Sequence, residues 1–88
     1  MDEQKVGRVT HYFNKIGVAV VEITDQGLSV GDTIHIKGHI TDLTQKVESI
    51  QIEHQSVEKT EVGQSIGLKV TELVQEHDLV YKVTEEKE

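Results

Sequence analysis

The stretch Val30-Gly31-Asp32-Thr33-Ile34-His35-Ile36-Lys37-Gly38 constrains the fold more than any other part of this chain. Gly31-Asp32 is turn chemistry, because glycine accepts positive φ and aspartate bonds back to its own backbone. After the turn, Ile34 and Ile36 fall on one face while His35 and Lys37 fall on the other. That alternation marks a strand with one buried side. Gly38 ends it at a bend or bulge.

The neighbouring segments read as partners for this strand. Lys5 to Phe13 is a strand carrying Val6, Val9, Tyr12 and Phe13 around Gly7, and it runs into a loop at Tyr12-Phe13-Asn14-Lys15. Ile16 to Thr24 is rich in β-branched residues (Val18, Val20, Val21, Ile23) and apolar on both faces as far as Val21, which suits a central, covered strand. Asp25-Gln26-Gly27 is a turn. Thr41-Asp42-Leu43-Thr44 is a connection. Gln45 to His54 reads as one long strand whose apolar parity changes between Val47 and Ile50, as a β-bulge would make it. Gln55 to Gln64 is a polar loop anchored by Val57 and Val62. Ser65 to Thr71 alternates, with Ile66, Leu68 and Val70 inward. Leu73-Val74 suits a turn of helix. Leu79, Tyr81 and Val83 share one face of the last strand.

No window holds a helical stripe, and about six short strands at short spacing argue for an all-β fold. The expectation is a small closed or nearly closed antiparallel β-barrel, since closure removes exposed edges and the chain has no proline to guard them. Ile34, Ile36, Ile66, Leu68, Val70 and Val20 are its expected core. With 88 residues the chain holds one domain, 1–88, with disordered ends at 1–4 and 84–88.

Composition excludes several functions. There is no cysteine, hence no disulfide and no thiolate metal site. No apolar signal region follows Met1, and the longest apolar run, Val18 to Val21, is far too short to span a bilayer. A cytoplasmic protein without a membrane partner is expected. The net charge is −7, from 16 acids against 9 bases, and Arg8 is the one arginine. Phosphate-driven binding needs local excess of Lys and Arg, so DNA and long RNA duplexes are disfavoured as partners. The acids gather at the two ends, which leaves room for a small local contact.

Four segments occur in a telling order: Val30-Gly31-Asp32-Thr33-Ile34, Val47-Glu48-Ser49-Ile50-Gln51, Gly63-Gln64-Ser65-Ile66-Gly67-Leu68 and Asp78-Leu79-Val80. Together they resemble the second-domain β-barrel of translational GTPases such as elongation factor Tu. The stretch from Gly7 to Ala19, centred on His11-Tyr12-Phe13-Asn14-Lys15, is similar to small stand-alone translation elongation factor-like proteins and to the C-terminal barrel of collagenase-like peptidases that modify RNA. In the elongation factors this barrel packs on the GTPase domain and helps hold the aminoacyl end of tRNA, so the resemblance implies such a docking role. A glycine the family carries just before Asp78 is His77 here.

The residues themselves point to binding. There is no phosphate-cradling Gly-x-x-x-x-Gly-Lys-Ser/Thr loop, and Asn14-Lys15-Ile16-Gly17 lacks the aspartate that reads guanine, so GTP binding is not expected. His11, Tyr12, Phe13, Asn14 and Lys15 put two of the three aromatics beside a cation, where a base or an apolar group can stack. Alternation cannot bury both Tyr12 and Phe13, so one of them caps the barrel and the other is exposed. His54, at the end of a strand, either orients a ligand or merely ends the strand. His35 and His39 are about 13 Å apart along an extended chain, too far for one metal, so they read as solvated. Ser49 and Ser56 lack a strained elbow, and Glu48 and Glu53 face opposite sides, so no catalytic set is found. The expected function is a non-enzymatic module without cofactor or metal that docks on RNA (a tRNA-like end) or on a protein. The alternative is an interaction subunit of a separately encoded RNA-modifying or peptidase-like enzyme, without RNA affinity of its own.

Overall fold

The computed structural model describes residues 2–84 and contains only strands and turns among them. The elements are β1 (Asp2–Phe13), β2 (Val18–Ile23), β3 (Thr33–Lys37), β4 (Asp42–Lys46), β5 (Ile50–Ile52), β6 (Gln55–Val57), β7 (Ser65–Lys69) and β8 (Leu79–Thr84). They form one antiparallel sheet of eight strands in the order β4-β3-β8-β1-β2-β7-β5-β6. The sheet curls into a nearly closed barrel, as the sequence suggests, but with eight strands where about six are expected. The extra two come from stretches with almost no apolar signal. In β4 only Leu43 is buried, and β6 has three residues. The parity change between Val47 and Ile50 marks the break between β4 and β5, where the chain leaves β3 and crosses to β7; no bulge is involved.

β1 is the element that bends the sheet. Its first half pairs with β8 and its second half with β2, and each pairing slips by one residue, near Val6 and near Thr10. Bulges of this kind curve a strand and raise its twist. Gly7 lies where β1 and β2 approach most closely: a Cβ there would stand 1.9 Å from the Glu22 carbonyl oxygen. Asp2, Glu3 and Gln4 are strand residues paired with Thr84, Val83 and Lys82. The free ends expected at Met1 and 85–88 lie outside the described residues.

Bonds outside the regular ladder draw the open sheet together, tying the segment before β3 to the segment after β6 and edge strand β4 to the end of β7. Val30 N–H donates to the Glu58 carbonyl and Thr60 N–H to the Leu28 carbonyl, each at 2.8 Å. The Gln45 side chain crosses from β4 to the end of β7: its amide nitrogen donates to the Lys69 carbonyl at 2.8 Å, and its oxygen accepts from Thr71 N–H at 2.9 Å. A side chain thus replaces the strand pair that full closure would need.

The interior is aliphatic. Ile34, Ile36, Ile66, Leu68 and Val70 are in it as expected, with Val6, Val9, Ala19, Val21 and Val80. Val20 is not: β2 alternates with Ala19, Val21 and Ile23 inward, leaving Val18 and Val20 half-buried on the outer face. In β8 the inward residue is Val80, so the face shared by Leu79, Tyr81 and Val83 is the outer one. Leu73-Val74 forms no helix; Val74 is buried and Leu73 is exposed. The last turn keeps a glycine-like conformation despite its sequence. His77 sits at φ 77°, and its N–H reaches the Val9 carbonyl at 2.7 Å.

Candidate functional site

The slip at Thr10 decides what the outer face of β1 carries. Val9 points inward opposite Val21, and strict alternation would send His11 and Phe13 inward too. The bulge reverses this: His11 lies opposite Val20 and Phe13 opposite Val18, on the outer face. Tyr12 turns in and packs against the core. Phe13 is 46% exposed. The ring of His11 meets that of Phe13 edge-on at 4.4 Å between centroids, and its Nδ1 lies 3.3 Å from a Glu76 carboxylate oxygen.

Asn14, Lys15, Ile16 and Gly17 make the turn from β1 to β2. Gly17 N–H donates to the Phe13 carbonyl at 2.9 Å, and Gly17 takes a positive φ of 67° that suits its lack of a side chain. The turn leaves Asn14 and Lys15 in solvent and Ile16 60% exposed. Two shallow depressions flank this point. One, of ≈ 300 Å³, is formed by residues 11–16 themselves. The other, of ≈ 290 Å³, lies on the outer face of β2, β7 and β5. Phe13, Ile16, Val18 and Val20 wall it on one side, and Gln51, Glu53 and His54 on the other. Gly67 faces Val20 and Gln51 across the sheet, so no side chain fills the floor between them.

His54 therefore shares a groove with Phe13, 41 residues away in sequence. It is held there by a tight hairpin: Glu53 and His54 are the two turn residues between Ile52 and Gln55, at φ 52° and 68°. Two positive φ values match the twist of an antiparallel pair. Of the six candidate residues, His11, Phe13, Asn14, Lys15 and His54 lie on the exposed side of this region, and Tyr12 holds the turn from beneath. Ile16, Val18, Val20 and Gly67 complete the groove and were not picked out from the sequence. Apolar residues on both faces of β2 were the available signal, and they pointed to burial.

The opposite outer face holds a second group, also missed. His35 is not solvated: its Nδ1 lies 2.6 Å from a Glu3 oxygen and its Nε2 2.5 Å from an Asp42 oxygen. Glu3 also receives Lys37 at 3.3 Å, and the Lys37 ammonium sits 5.1 Å above the Tyr81 ring centre. Hydrogen bonding to Glu3 is the main cause that raises the pKa of His35 above its ordinary 6.5, reinforced by Asp42 and opposed by partial burial. Hydrogen bonding to His35 likewise lowers Glu3 below 4.5. Glu3 falls in the charged stretch expected to be a free end, and nothing in the sequence links it to a residue 32 positions on. Among the described residues there is no cluster of His, Cys, Asp and Glu able to hold a metal ion. No helix among them is long and apolar enough to cross a membrane.

No protein-family model matches the chain. Curated proteins do. It is 42% identical over 84 residues to a collagenase of Porphyromonas gingivalis, covering 94% of this chain and 23% of that protein. It is 39% identical over 82 residues to an uncharacterised protease of Methanocaldococcus jannaschii, covering 92% of this chain and 20% of that one. The chain thus spans about a fifth of the length of these relatives. Among solved structures, the C-terminal domain of a putative U32 peptidase from Geobacillus thermoleovorans superposes with a TM-score of 0.84. The match covers 92% of this chain and 93% of that one at 23% identity, and so speaks for the fold.

These relatives carry the collagenase-like side of the resemblance and not its elongation-factor side. They also correct the expectation that the chain stands apart from enzymes: the proteins it matches are named as protease and collagenase. That expectation rested on finding no catalytic constellation in 88 residues.

Proposed function

We propose that this domain works as part of a U32-peptidase-like enzyme system in the cytoplasm, and that the groove beside Phe13 is the surface through which it docks on the remainder of that system. The observation that carries the reading is the apolar strip over Gly67, made by exposed Phe13 and Ile16 with half-buried Val18 and Val20. A strip of this kind, rimmed by polar residues, is how a small β domain presents a protein-binding face. The occupant we favour is a protein surface of the peptidase-like catalytic region, because the relatives join a domain like this one to about three to four times its length of other chain.

A translation-factor-like role, with Phe13 stacking on the end of a tRNA-like RNA and Lys15 supplying charge, is the second reading. One observation favours it: an exposed aromatic stands in the same turn as a lysine that makes no ion pair among the described residues. Base stacking on such a ring is sequence-tolerant. The net charge of −7 works against it.

Salt separates the two. The purified chain is titrated with a U32-peptidase-like protein of the same cell, and separately with tRNA, at low and at physiological salt. The docking reading expects protein binding that changes little with salt and is lost in Phe13→Ala/Ile16→Ser. Binding to tRNA that falls steeply with salt, with none to the protein, would transfer the site to RNA.

A further inference from the structure

The group around His35 is built to hold a proton, and it lies away from the docking groove. Both ring nitrogens face carboxylate oxygens, at 2.6 and 2.5 Å. A carboxylate only accepts, so both nitrogens must donate, and only the imidazolium can do that. Three strands meet there. Glu3 comes from β1, which pairs with β8; His35 comes from β3; Asp42 opens the edge strand β4. The other charged or titratable side chains on this face are Lys37 of β3, which stands opposite Asp42, Lys46 of β4, which stands opposite Thr33, Lys5 of β1, and Tyr81 of β8, which lies directly opposite His35. Lys82 of β8 turns instead to Asp32, at 3.5 Å. Opposite His35 on β4 stands Thr44, which is neutral.

We infer that Glu3, His35 and Asp42 form a proton-operated latch that ties the start of edge strand β4 to the sheet and releases Asp42 when the imidazole loses a proton. The two carboxylates are not equivalent. Glu3 has Lys37 as a second partner, and its side chain is 29% exposed. Asp42 is 82% exposed and makes no second side-chain hydrogen bond or ion pair among the described residues, although Lys37 is its cross-strand neighbour. A neutral ring keeps one N–H. Glu3, held on two sides, retains it at Nδ1, and the lone pair of Nε2 then faces the Asp42 carboxylate. Repulsion and solvent access free Asp42 together with the hairpin tip at 38–41, whose Ile40 is 75% exposed. The raised pKa of His35 fits this arrangement and places the release on the alkaline side of an ordinary histidine.

The test reads the proton and the strand separately. The ring resonances of His35, assigned by their loss in His35→Gln, are followed through pH in the wild type and in Glu3→Gln/Asp42→Asn. Both changes are isosteric, and the side chains they alter lie at the sheet surface. Amide exchange of β4, corrected for its intrinsic pH dependence, is measured alongside that of β2 and β7. The latch expects a His35 midpoint that drops in the double variant. It also expects exchange in β4, and not in β2 or β7, to quicken as the wild type passes that midpoint. In His35→Gln, β4 exchange should be fast at every pH. An unchanged midpoint in the double variant would overturn the latch, as would corrected β4 exchange that stays flat through the wild-type midpoint.

Discussion

Thr10 is where β1 slips against β2, and the slip turns Tyr12 inward and Phe13 outward. The sequence showed that the two neighbours must part but not which one leaves, because a bulge residue carries no label of its own. Val9 and Tyr12, both apolar and three apart, were the one hint of changed parity. The two aromatics should therefore answer differently to truncation. Tyr12→Ala removes part of the core lining and should cost roughly 2 kcal/mol in a denaturant melt. Phe13→Ala should cost less than about 1 kcal/mol and weaken partner binding instead. Equal losses of stability would place both rings in the core. The His35 group gives a second expectation, now for global stability. Its folded pKa is raised, so its contribution is complete below 6.5 and is lost as pH rises through the folded value. Glu3 is lowered, so its contribution is complete above 4.5 and fades as pH falls through its own folded value. Melting temperature should therefore hold a plateau between these limits. The alkaline fall should be shallower in His35→Gln; an unchanged fall would assign it to other groups.

The elements that could be read from sequence were those with a strong apolar rhythm. Ile34 and Ile36 in β3, and Ile66 and Leu68 in β7, alternate without interruption, and they sit in the core. β4 and β6 escaped because they are polar edge strands defined by their partners. The sequence suggests burial for Val18 and Val20, because nothing in it says that the outer face of a central strand is left half-covered. Two substitutions probe how the elements are joined. Gly7→Ala drives a Cβ into the Glu22 carbonyl, and the backbones of β1 and β2 must separate. The loss should be about 3 kcal/mol or more, read as a lower denaturation midpoint. His77→Gly should act in the opposite sense. A side chain at left-handed φ costs roughly 1–2 kcal/mol, and the greater freedom of unfolded glycine takes back about 0.5–1 kcal/mol. A net gain of about 0.5–1 kcal/mol is expected, and a loss would show that the His77 side chain earns its place.

At the scale of the whole molecule, a nearly closed barrel leaves little room for a deep pocket, so function has to be sought on its outer faces. The two faces differ. On the one formed by β3, β8 and β1 a charged side chain covers the aromatic ring, Lys37 over Tyr81. The one on β1, β2, β7 and β5 leaves Phe13, Ile16, Val18 and Val20 open around a floor that Gly67 keeps empty. Filling that floor with Gly67→Val should weaken partner binding several-fold while the melting temperature holds, because an added Cβ meets the end of the Val18 side chain at 3.3 Å and the Gln51 carbonyl oxygen at an ordinary 3.8 Å. The most direct measurement is a map of the amide resonances that shift when a U32-peptidase-like protein of the same cell is added to the isotope-labelled chain. The docking account expects the shifts to gather on Phe13, Ile16, Val18, Val20, Gly67 and His54. Shifts gathered instead on Leu79, Tyr81 and Val83, or none at a concentration that saturates binding, would contradict it.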